Sequence, residues 1–195
     1  MTMDTFLLIG LGNPGREYRD NRHNIGFMLV DRLAVRLDAR GMKLQSKAIV
    51  TSGIHEERKV LLAKPQTYMN LSGQSVQGLL RFYKIPPENL IVAHDDIDLP
   101  LGTIRIRPGG GAGGQRGMAS TIEYLGTKEF PRLRLGIGRP PGRMTAADYV
   151  LQNFPRADLL IVSETLDRAA DAVLMFITDG LNKAMNQFNG VVGEQ

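Results

Sequence analysis

The sequence predicts an α/β fold: a single domain with a twisted, mixed and mostly parallel sheet that is flanked by helices on both faces. Short apolar runs bounded by glycine, proline or acidic residues alternate with segments whose apolar residues recur every three to four positions, and this alternation is typical of α/β sheets. The segment 103–108, TIRIRP, alternates apolar residues with arginine and therefore indicates an edge or antiparallel strand. With 195 residues, a 43% hydrophobic composition and no repeat or linker, residues 1–195 are expected to form one domain.

Turn-forming residues set the ends of the elements in the first half of the chain. Asn21 or Asn24 is suited to cap a helix after the first polar loop, and Pro86 and Pro87 stop a second helix. In order, the predicted elements are a buried strand over Phe6–Gly12, a helix that runs to Gly41, two strands within 48–65 that join at His55–Arg58, and a helix over Ser72–Tyr83.

The second half of the chain continues the alternation around a glycine-rich loop at 109–114. Its longest periodic segment carries apolar residues at helical spacing and predicts an amphipathic helix. In order, the predicted elements are a strand over Asn89–Pro100, the strand at 103–108, a helix over Met118–Gly126, a strand over Arg132–Gly138, the long helix over Pro155–Phe176 and a last helix over Leu181–Phe188.

The composition excludes several classes of protein. There is no cysteine, which excludes a disulfide scaffold, a thiolate-bound zinc ion and a cysteine nucleophile. No apolar run reaches the roughly 18–20 residues of a membrane span, and the first residues lack the basic-then-apolar layout of a signal peptide. We therefore expect a cytoplasmic protein with no membrane contact.

The positive charge of the chain is concentrated in one stretch. Residues 101–143 contain eight basic and two acidic residues, whereas the rest of the chain contains 16 basic and 18 acidic residues. Arginine forks match phosphate oxygens, so this stretch points to a nucleic acid or another phosphorylated partner. A solvated basic face that aids solubility is the alternative.

The segment Gly10–Gly15 matches the G-x-G-x-x-G pattern of dinucleotide-binding folds directly after a strand. In those folds the third glycine lies at the start of a helix that binds the pyrophosphate. Here a polar segment, REYRDNRHN, separates Gly15 from any helical periodicity. Dinucleotide binding is therefore disfavoured.

His23 is the best candidate for a proton-transfer residue among the three histidines. It stands between a polar loop and a helix start, and an imidazole is suited to proton transfer near neutral pH. His55 falls in a predicted turn, and His94 follows buried strand residues, where a hydrogen-bonded structural role is expected. A purely structural role for His23 is the alternative.

The acidic residues that follow His94 end a strand at the edge where α/β sheets bind ligands. Neighbouring carboxylates on a strand point to alternate faces, which disfavours a metal site and favours an aspartate that orients a histidine. Asn70, in the segment YMNLSG, is either a helix cap or an amide that faces a substrate.

Four motifs in the same order resemble the bacterial-type peptidyl-tRNA hydrolase family. They are GLGNPGREYRDNRHNIGF, PQTYMNLSGQSV, LIVAHDDIDLPLGTIRIRPGGGAGGQRGM and FPRLRLGIGRP, and the similarity extends from about residue 5 to residue 188. The resemblance implies an enzyme that hydrolyses the ester bond between a peptide and the 3′ ribose of tRNA. It also implies a monomer whose partner is the acceptor stem and 3′ end of peptidyl-tRNA, with no metal and no cofactor.

The resemblance also implies roles for individual residues. His23 matches the catalytic histidine, and Asp95 matches the aspartate that supports it. The positions implied to contact the substrate are Asn13, Tyr18, Tyr68, Met69, Asn70 and Arg116. The positions implied to form the tRNA phosphate surface are Arg105, Arg107 and Arg134.

Two positions depart from the family pattern. The family usually has G-G-H-N-G where this chain has Gly113-Gly114-Gln115-Arg116-Gly117, so an arginine replaces the substrate-contacting asparagine. Arginine cannot accept a hydrogen bond, but Gln115 is an alternative source of an amide. Asn21 replaces the usual threonine or serine two residues before His23.

Two other functions are weighed against this interpretation. A non-catalytic RNA-binding relative would keep the basic face but would have no need of His23 and Asp95 together. An oxidoreductase would require Gly10–Gly15 to bind a nucleotide cofactor. The hydrolase is the preferred interpretation.

Overall fold

A computed structural model describes residues 3–191 of the chain. Within this part of the chain, eight strands form one sheet: β1 (Thr5–Gly10), β2 (Arg40–Gln45), β3 (Ala48–His55), β4 (Arg58–Pro65), β5 (Leu90–Asp96), β6 (Thr103–Arg107), β7 (Arg132–Gly136) and β8 (Gly190–Val191). The α-helices of the same part are α1 (Ile25–Arg36), α2 (Ser72–Tyr83), α3 (Arg116–Leu125), α4 (Ala146–Val150), α5 (Leu159–Asp179) and α6 (Leu181–Phe188). None of the helices in residues 3–191 has the length and apolarity needed to cross a membrane.

The sheet has a parallel centre and antiparallel flanks. Its strand order is β2-β3-β4-β1-β5-β7-β6-β8, and the pairs β4–β1, β1–β5 and β5–β7 are parallel. On one side of this centre, the pairs β2–β3 and β3–β4 are antiparallel. On the other side, the pairs β7–β6 and β6–β8 are antiparallel. The predicted α/β class with a mixed sheet is confirmed, and the strand at 103–108 is antiparallel as expected.

Helices cover the sheet on both faces because successive residues of a strand project to opposite sides. On β1, Leu8 packs into the core formed with α1, α5 and α6, whereas Leu7 and Ile9 pack into the core formed with α2 and α3. All three of these side chains are fully or almost fully buried. This two-sided burial explains why the central strands are continuous apolar runs.

Close packing between β1 and α1 brings the loop that joins them onto the ends of the parallel strands. A Cβ atom at Gly10 would lie 2.1 Å from the carbonyl oxygen of Gly26, and one at Gly26 would lie 2.6 Å from the backbone nitrogen of Leu11. Only glycine at both positions permits this approach. The loop over residues 11–24 is therefore held directly above the ends of β1 and β5.

The ends of two predicted elements in the first half of the chain are wrong, and two further elements were not predicted. The strand predicted to reach Gly12 ends at Gly10, and the helix predicted to run to Gly41 ends at Arg36 because Asp38 adopts a left-handed φ of 44°. Residues 40–45, which carried no strand prediction, form β2. The short helix α4, capped by the Thr145 side chain on the backbone N–H of Asp148, was also not predicted.

Candidate active site

A histidine and an aspartate meet at the end of the parallel strands. His23 lies in a single 3-10 turn, Arg22–Asn24, directly before α1, and Asp95 is the penultimate residue of β5. The Nδ1 atom of His23 lies 2.8 Å from Oδ2 of Asp95, and both side chains are buried. An ionised carboxylate only accepts hydrogen bonds, so Nδ1 carries the proton and Nε2 of the neutral ring is the basic nitrogen.

The second carboxylate oxygen of Asp95 is bound by an amide. Gln115, the N-cap of α3, donates from Nε2 to Oδ1 of Asp95 over 3.0 Å. Its Oε1 atom accepts from the backbone N–H of Met118 over 2.7 Å. The sequence alternative in which Gln115 offers its amide to a substrate does not match this arrangement, because both ends of the amide are engaged within the protein.

Asn13 is fixed by a network that leaves its amide nitrogen available. The Asn24 side chain donates to the backbone carbonyl of Asn13 and accepts from its backbone N–H, in each case over 2.9 Å. The backbone N–H of Met69 donates to Oδ1 of Asn13 over 2.8 Å. With Oδ1 occupied, Nδ2 is the end of the Asn13 side chain that remains to meet a substrate.

These side chains line a cavity of about 550 Å³. The cavity brings together seven of the predicted site residues. Tyr68, Asn70 and Arg116 are exposed, whereas Met69 is buried. The predicted members of the lining are Asn13, His23, Tyr68, Met69, Asn70, Asp95 and Arg116. Tyr18 is not part of the lining; it is half-buried at the end of a 3-10 turn, Arg16–Tyr18.

One wall of the cavity is tied to the loop that carries His23. Ala146, Ala147, Val150 and Leu151 form this wall. The guanidinium of Arg22, 4.2 Å from the centre of the Tyr149 ring, donates from Nη1 to three backbone carbonyls. The acceptors are the carbonyls of Tyr149 at 3.5 Å, Gln152 at 3.3 Å and Asn153 at 3.1 Å.

The neighbouring side chain of Asn21 strengthens the same connection. Its Nδ2 atom donates to Oδ1 of Asn153 over 2.6 Å, and the backbones of the two residues form an isolated β-bridge. From the sequence, Asn21 is one of the two departures from the family pattern, and Arg22 has no predicted role. A signal was present, because an arginine and an asparagine directly before a candidate catalytic histidine are close to the reacting centre by chain connectivity alone.

The three arginines predicted to bind tRNA lie outside the cavity, on β6 and β7. Arg105 and Arg107 project from β6 and are exposed, and the antiparallel register places Arg134 of β7 opposite Arg105. Arg134 donates from Nε to Oδ2 of Asp96 over 2.6 Å. Arg105 and Arg134 are therefore cross-strand neighbours, but the guanidinium of Arg134 is paired with the carboxylate of Asp96.

A fourth arginine of the same strands is buried and holds the glycine-rich loop. Arg132 donates from Nη1 to the carbonyls of Gly110 and Gly111 and from Nη2 to that of Lys128. Burial lowers the pKa of Arg132, and the nearby Arg134 acts in the same direction. This arginine faces the backbone rather than solvent, so it does not extend the exposed basic surface.

His94 has the structural role expected for it. The ring is buried, and its Nδ1 atom donates to the backbone carbonyl of Asp95 over 2.8 Å. Burial lowers the pKa of His94, with a smaller contribution from Arg132, and outweighs the opposing effect of the Asp95 and Asp96 carboxylates. The ring is therefore neutral in the folded protein at neutral pH.

The glycine pattern at residues 10–15 does not lead into a helix. A 3-10 turn, Arg16–Tyr18, follows Gly15, and α1 begins only at Ile25. Gly15 therefore does not stand at the start of a helix, which is the feature on which the sequence argument against a dinucleotide site rests. Across residues 3–191, no three histidine or acidic side chains gather in an arrangement that could hold a metal ion.

Comparison with known proteins decides the family of the chain. A family model described as peptidyl-tRNA hydrolase matches residues 7–195. The chain belongs to the peptidyl-tRNA hydrolase family. The resemblance indicated by the four sequence motifs is therefore confirmed, and with it the prediction that the chain is an enzyme of this family.

Relatives and solved structures agree over almost the whole chain. The peptidyl-tRNA hydrolase of Carboxydothermus hydrogenoformans is 52% identical over 184 residues, which are 94% of this chain and 98% of that relative. That of Alkaliphilus oremlandii is 48% identical over 185 residues, 94% of this chain and 99% of that relative. The crystal structure of peptidyl-tRNA hydrolase from Acinetobacter baumannii matches with a TM-score of 0.89 at 36% identity, covering 98% of each chain.

Proposed function

We propose that this chain hydrolyses the ester bond between the peptide, or an N-blocked aminoacyl group, and the 3′ ribose of tRNA, and so recycles tRNA from aborted translation. The observation that carries the proposal is the buried hydrogen bond between Nδ1 of His23 and Oδ2 of Asp95 at the cavity of a chain in this family. Ester hydrolysis requires a base that activates water, and the free Nε2 of His23 is such a base.

In the proposed mechanism, Nε2 of His23 takes a proton from a water molecule as the water oxygen attacks the ester carbonyl carbon. The tetrahedral intermediate then collapses, the bond between the carbonyl carbon and the ribose 3′ oxygen breaks, and the imidazolium returns its proton to that oxygen. The products are a peptide with a free carboxyl group and tRNA with a free 3′ hydroxyl. Asp95 stabilises the imidazolium formed between the two proton transfers.

Amide groups supply the polar contacts to the acyl part of the substrate. Nδ2 of Asn13 is a preorganised donor, because its partner atom Oδ1 is held by the backbone N–H of Met69. Asn70 contributes a second amide from the exposed part of the cavity. General-base catalysis contributes a factor of about 10²–10⁴, so positioning by these groups and by the buried Met69 accounts for much of the remaining acceleration.

The RNA part of the substrate binds outside the cavity in this proposal. Tyr68, whose side chain is exposed at the cavity, contacts the terminal region of the substrate. Tyr18, which lies outside the cavity, contacts the same region of the substrate farther from the ester bond. Arg105, Arg107 and Arg134 bind phosphates of the acceptor stem. Support for this surface comes from the exposure of the two β6 arginines and from the concentration of positive charge in this part of the sequence.

Arg116 takes the place of a family asparagine in this scheme. Its exposed guanidinium lines the cavity at the start of α3 and offers only hydrogen-bond donors. We propose that it binds anionic or carbonyl groups of the substrate.

We further propose that residues 1–195 act as one domain, as a monomer and in the cytoplasm, where translation provides the substrate. Sedimentation of the purified protein tests whether it is a monomer.

One assay tests the proposed activity. Purified protein is incubated with an N-blocked aminoacyl-tRNA and, separately, with the same aminoacyl-tRNA bearing a free amino group. We expect the blocked ester to be cleaved much faster, with release of intact tRNA. Binding of both RNAs without cleavage of either would instead identify a non-catalytic RNA-binding relative, and tight binding of NAD would identify an oxidoreductase.

Two histidine variants test the proposed base. His23→Ala is expected to lower the rate by about 10²–10⁴-fold and to leave the tRNA dissociation constant nearly unchanged. His55→Ala is the matched control, since His55 lies in the β3–β4 hairpin and does not line the cavity. Turnover by His23→Ala at the rate of the control would contradict the assignment of His23.

A further inference from the structure

The side chain of Gln115 connects the start of α3 to the Asp95–His23 pair. Its Oε1 atom accepts from the backbone N–H of Met118, and its Nε2 atom donates to Oδ1 of Asp95. Nε2 also lies 3.3 Å from the sulfur of Met69. Gln115 and Asp95 are both buried, so water contributes little to holding either group.

These contacts determine which end of the amide faces the carboxylate. A backbone N–H requires an acceptor, so the carbonyl end of Gln115 must face Met118 and the NH₂ end must face Asp95. The reverse orientation would place two donors together and two acceptors together. The first turn of α3 therefore sets the orientation of the donor that meets Asp95.

The carboxylate of Asp95 is consequently held at both oxygens. Oδ1 is bound by Gln115 at 3.0 Å, and Oδ2 is bound by His23 at 2.8 Å. Rotation of the carboxylate would break both hydrogen bonds inside a buried site, where unpaired polar atoms are costly. The direction in which Oδ2 faces the imidazole therefore depends on Gln115.

We infer that Gln115 is a positioning residue for the reaction, which acts through Asp95 to hold the imidazole of His23 at its working angle; this inference rests on the proposed function. The family usually has a histidine here, whose donor capacity depends on its tautomer and charge. Glutamine does not titrate, so its amide donates to Asp95 in the same way across the pH range of the enzyme.

Two substitutions separate positioning from helix capping. Gln115→Asn keeps a favourable N-cap for α3 but is one methylene shorter and does not reach Asp95. We expect kcat to fall roughly 10- to 100-fold, because small misplacement of a catalytic group costs this much, while KM stays close to wild type. Gln115→His, which restores a longer donor, is expected to recover most of the lost kcat.

A spectroscopic measurement tests the geometry independently of turnover. The Nδ1–H proton of His23 is buried in a hydrogen bond, and its NMR resonance, assigned by its absence in His23→Ala, is expected to exchange slowly with water. Gln115→Asn should accelerate this exchange, and Gln115→His should slow it again. His55→Ala is the control and should leave the resonance unchanged.

The outcomes distinguish this inference from the proposed function. Wild-type kcat and an unchanged His23 resonance in Gln115→Asn would overturn the inference and leave the role of His23 intact. A lower kcat with an unchanged resonance would also overturn it, because the defect would then lie away from the Asp95–His23 pair. Failure of the wild type to cleave the N-blocked aminoacyl-tRNA would contradict the proposed function, whereas the resonance would still report whether Gln115 holds the pair.

Discussion

Arg134 is bound to Asp96 through a 2.6 Å hydrogen bond from Nε to Oδ2, although it belongs to the surface proposed to bind tRNA phosphates. Its cross-strand neighbour Arg105 is exposed on β6 and makes no ion pair within the described chain. The two guanidinium groups are therefore unequal: one is available to a phosphate at once, and the other must share its charge with a carboxylate.

This inequality predicts opposite effects of two substitutions on tRNA affinity. Arg105→Ala should weaken binding and reduce the salt dependence by about one released counterion. Asp96→Asn should strengthen binding, because it frees the charge of Arg134 and removes a carboxylate that repels phosphate. Dissociation constants measured over a series of salt concentrations, with uncleavable tRNA, check both effects.

Arg40→Ala is the control for these measurements. Arg40 lies on β2, at the opposite edge of the sheet, and pairs with Asp38. Its removal should leave the affinity nearly unchanged. Equal losses from Arg40→Ala and Arg105→Ala would show that the affinity follows total charge, and would move the binding face away from β6.

Replacing Arg22 with lysine should loosen the cavity wall. A lysine ammonium cannot reproduce the planar contacts of the guanidinium with the carbonyls of Tyr149, Gln152 and Asn153. We expect a loss of about 2 kcal/mol in the free energy of unfolding. This corresponds to a melting temperature roughly 4–8 °C lower. An unaltered melting temperature would mean that the wall does not depend on Arg22, and Arg40→Lys provides the exposed reference.

Arg116→Asn should weaken substrate binding and slightly stabilise the protein. Arg116 places a positive charge in the first turn of α3, where the helix dipole disfavours cations by about 0.3–1 kcal/mol. The loss of its charge from the cavity should raise KM by no more than roughly fivefold, equivalent to about 1 kcal/mol. Steady-state kinetics and thermal melts of Arg116→Asn, beside the charge-preserving Arg116→Lys, measure both changes. Kinetics identical to wild type would remove Arg116 from the substrate-binding set.

His94 should make the folded protein less stable in mild acid. Its pKa is lowered in the folded state by burial, whereas the unfolded chain takes up a proton near pH 6.5. The unfolded state thus binds more protons, and stability falls as the pH drops below 6.5. Between pH 6.5 and 5.5, the loss attributable to His94 should be at most about 1 kcal/mol.

Urea unfolding of the wild type and of His94→Gln across this pH range isolates the contribution of His94. The variant should show a correspondingly smaller loss, whatever its absolute stability. His55→Gln is the matched control and should retain the dependence of the wild type. A wild-type slope in His94→Gln would assign the pH dependence to other groups.

The central strands and most helices were predictable because their apolar spacing is set by burial. β2 was not, because five of its six residues are exposed and leave no alternation to detect. The end of α1 was placed too late, since apolar residues up to Leu37 continue the helical period while Asp38 turns the chain by a left-handed conformation. The tertiary pairing with β3, rather than local propensity, forms the strand that follows.

The candidate site shows the same division. The residues alone single out His23 and the acidic end of a strand, whereas Asp95 is named as the partner of His23 by the family resemblance. The structure brings the two together because the loop after β1 lies over the end of the neighbouring strand β5. The contact of Gln115 with Asp95 and the carbonyl contacts of Arg22 could not be predicted. They join segments that are 20 and up to 131 positions apart in the chain, and they depend on how α3 and α4 approach the strand ends.

Asp95 and Asp96 are consecutive residues, yet one meets an imidazole and the other meets Arg134. The two carboxylates have different partners because the side chains of adjacent residues on a strand project to opposite faces of the sheet. A slip of β5 by a single residue against β7 would exchange the two carboxylates, so that neither partner met its own acid. The register of β5 against β7 thereby places Asp95 beside His23 and, at the same time, Asp96 beside Arg134 of the basic surface.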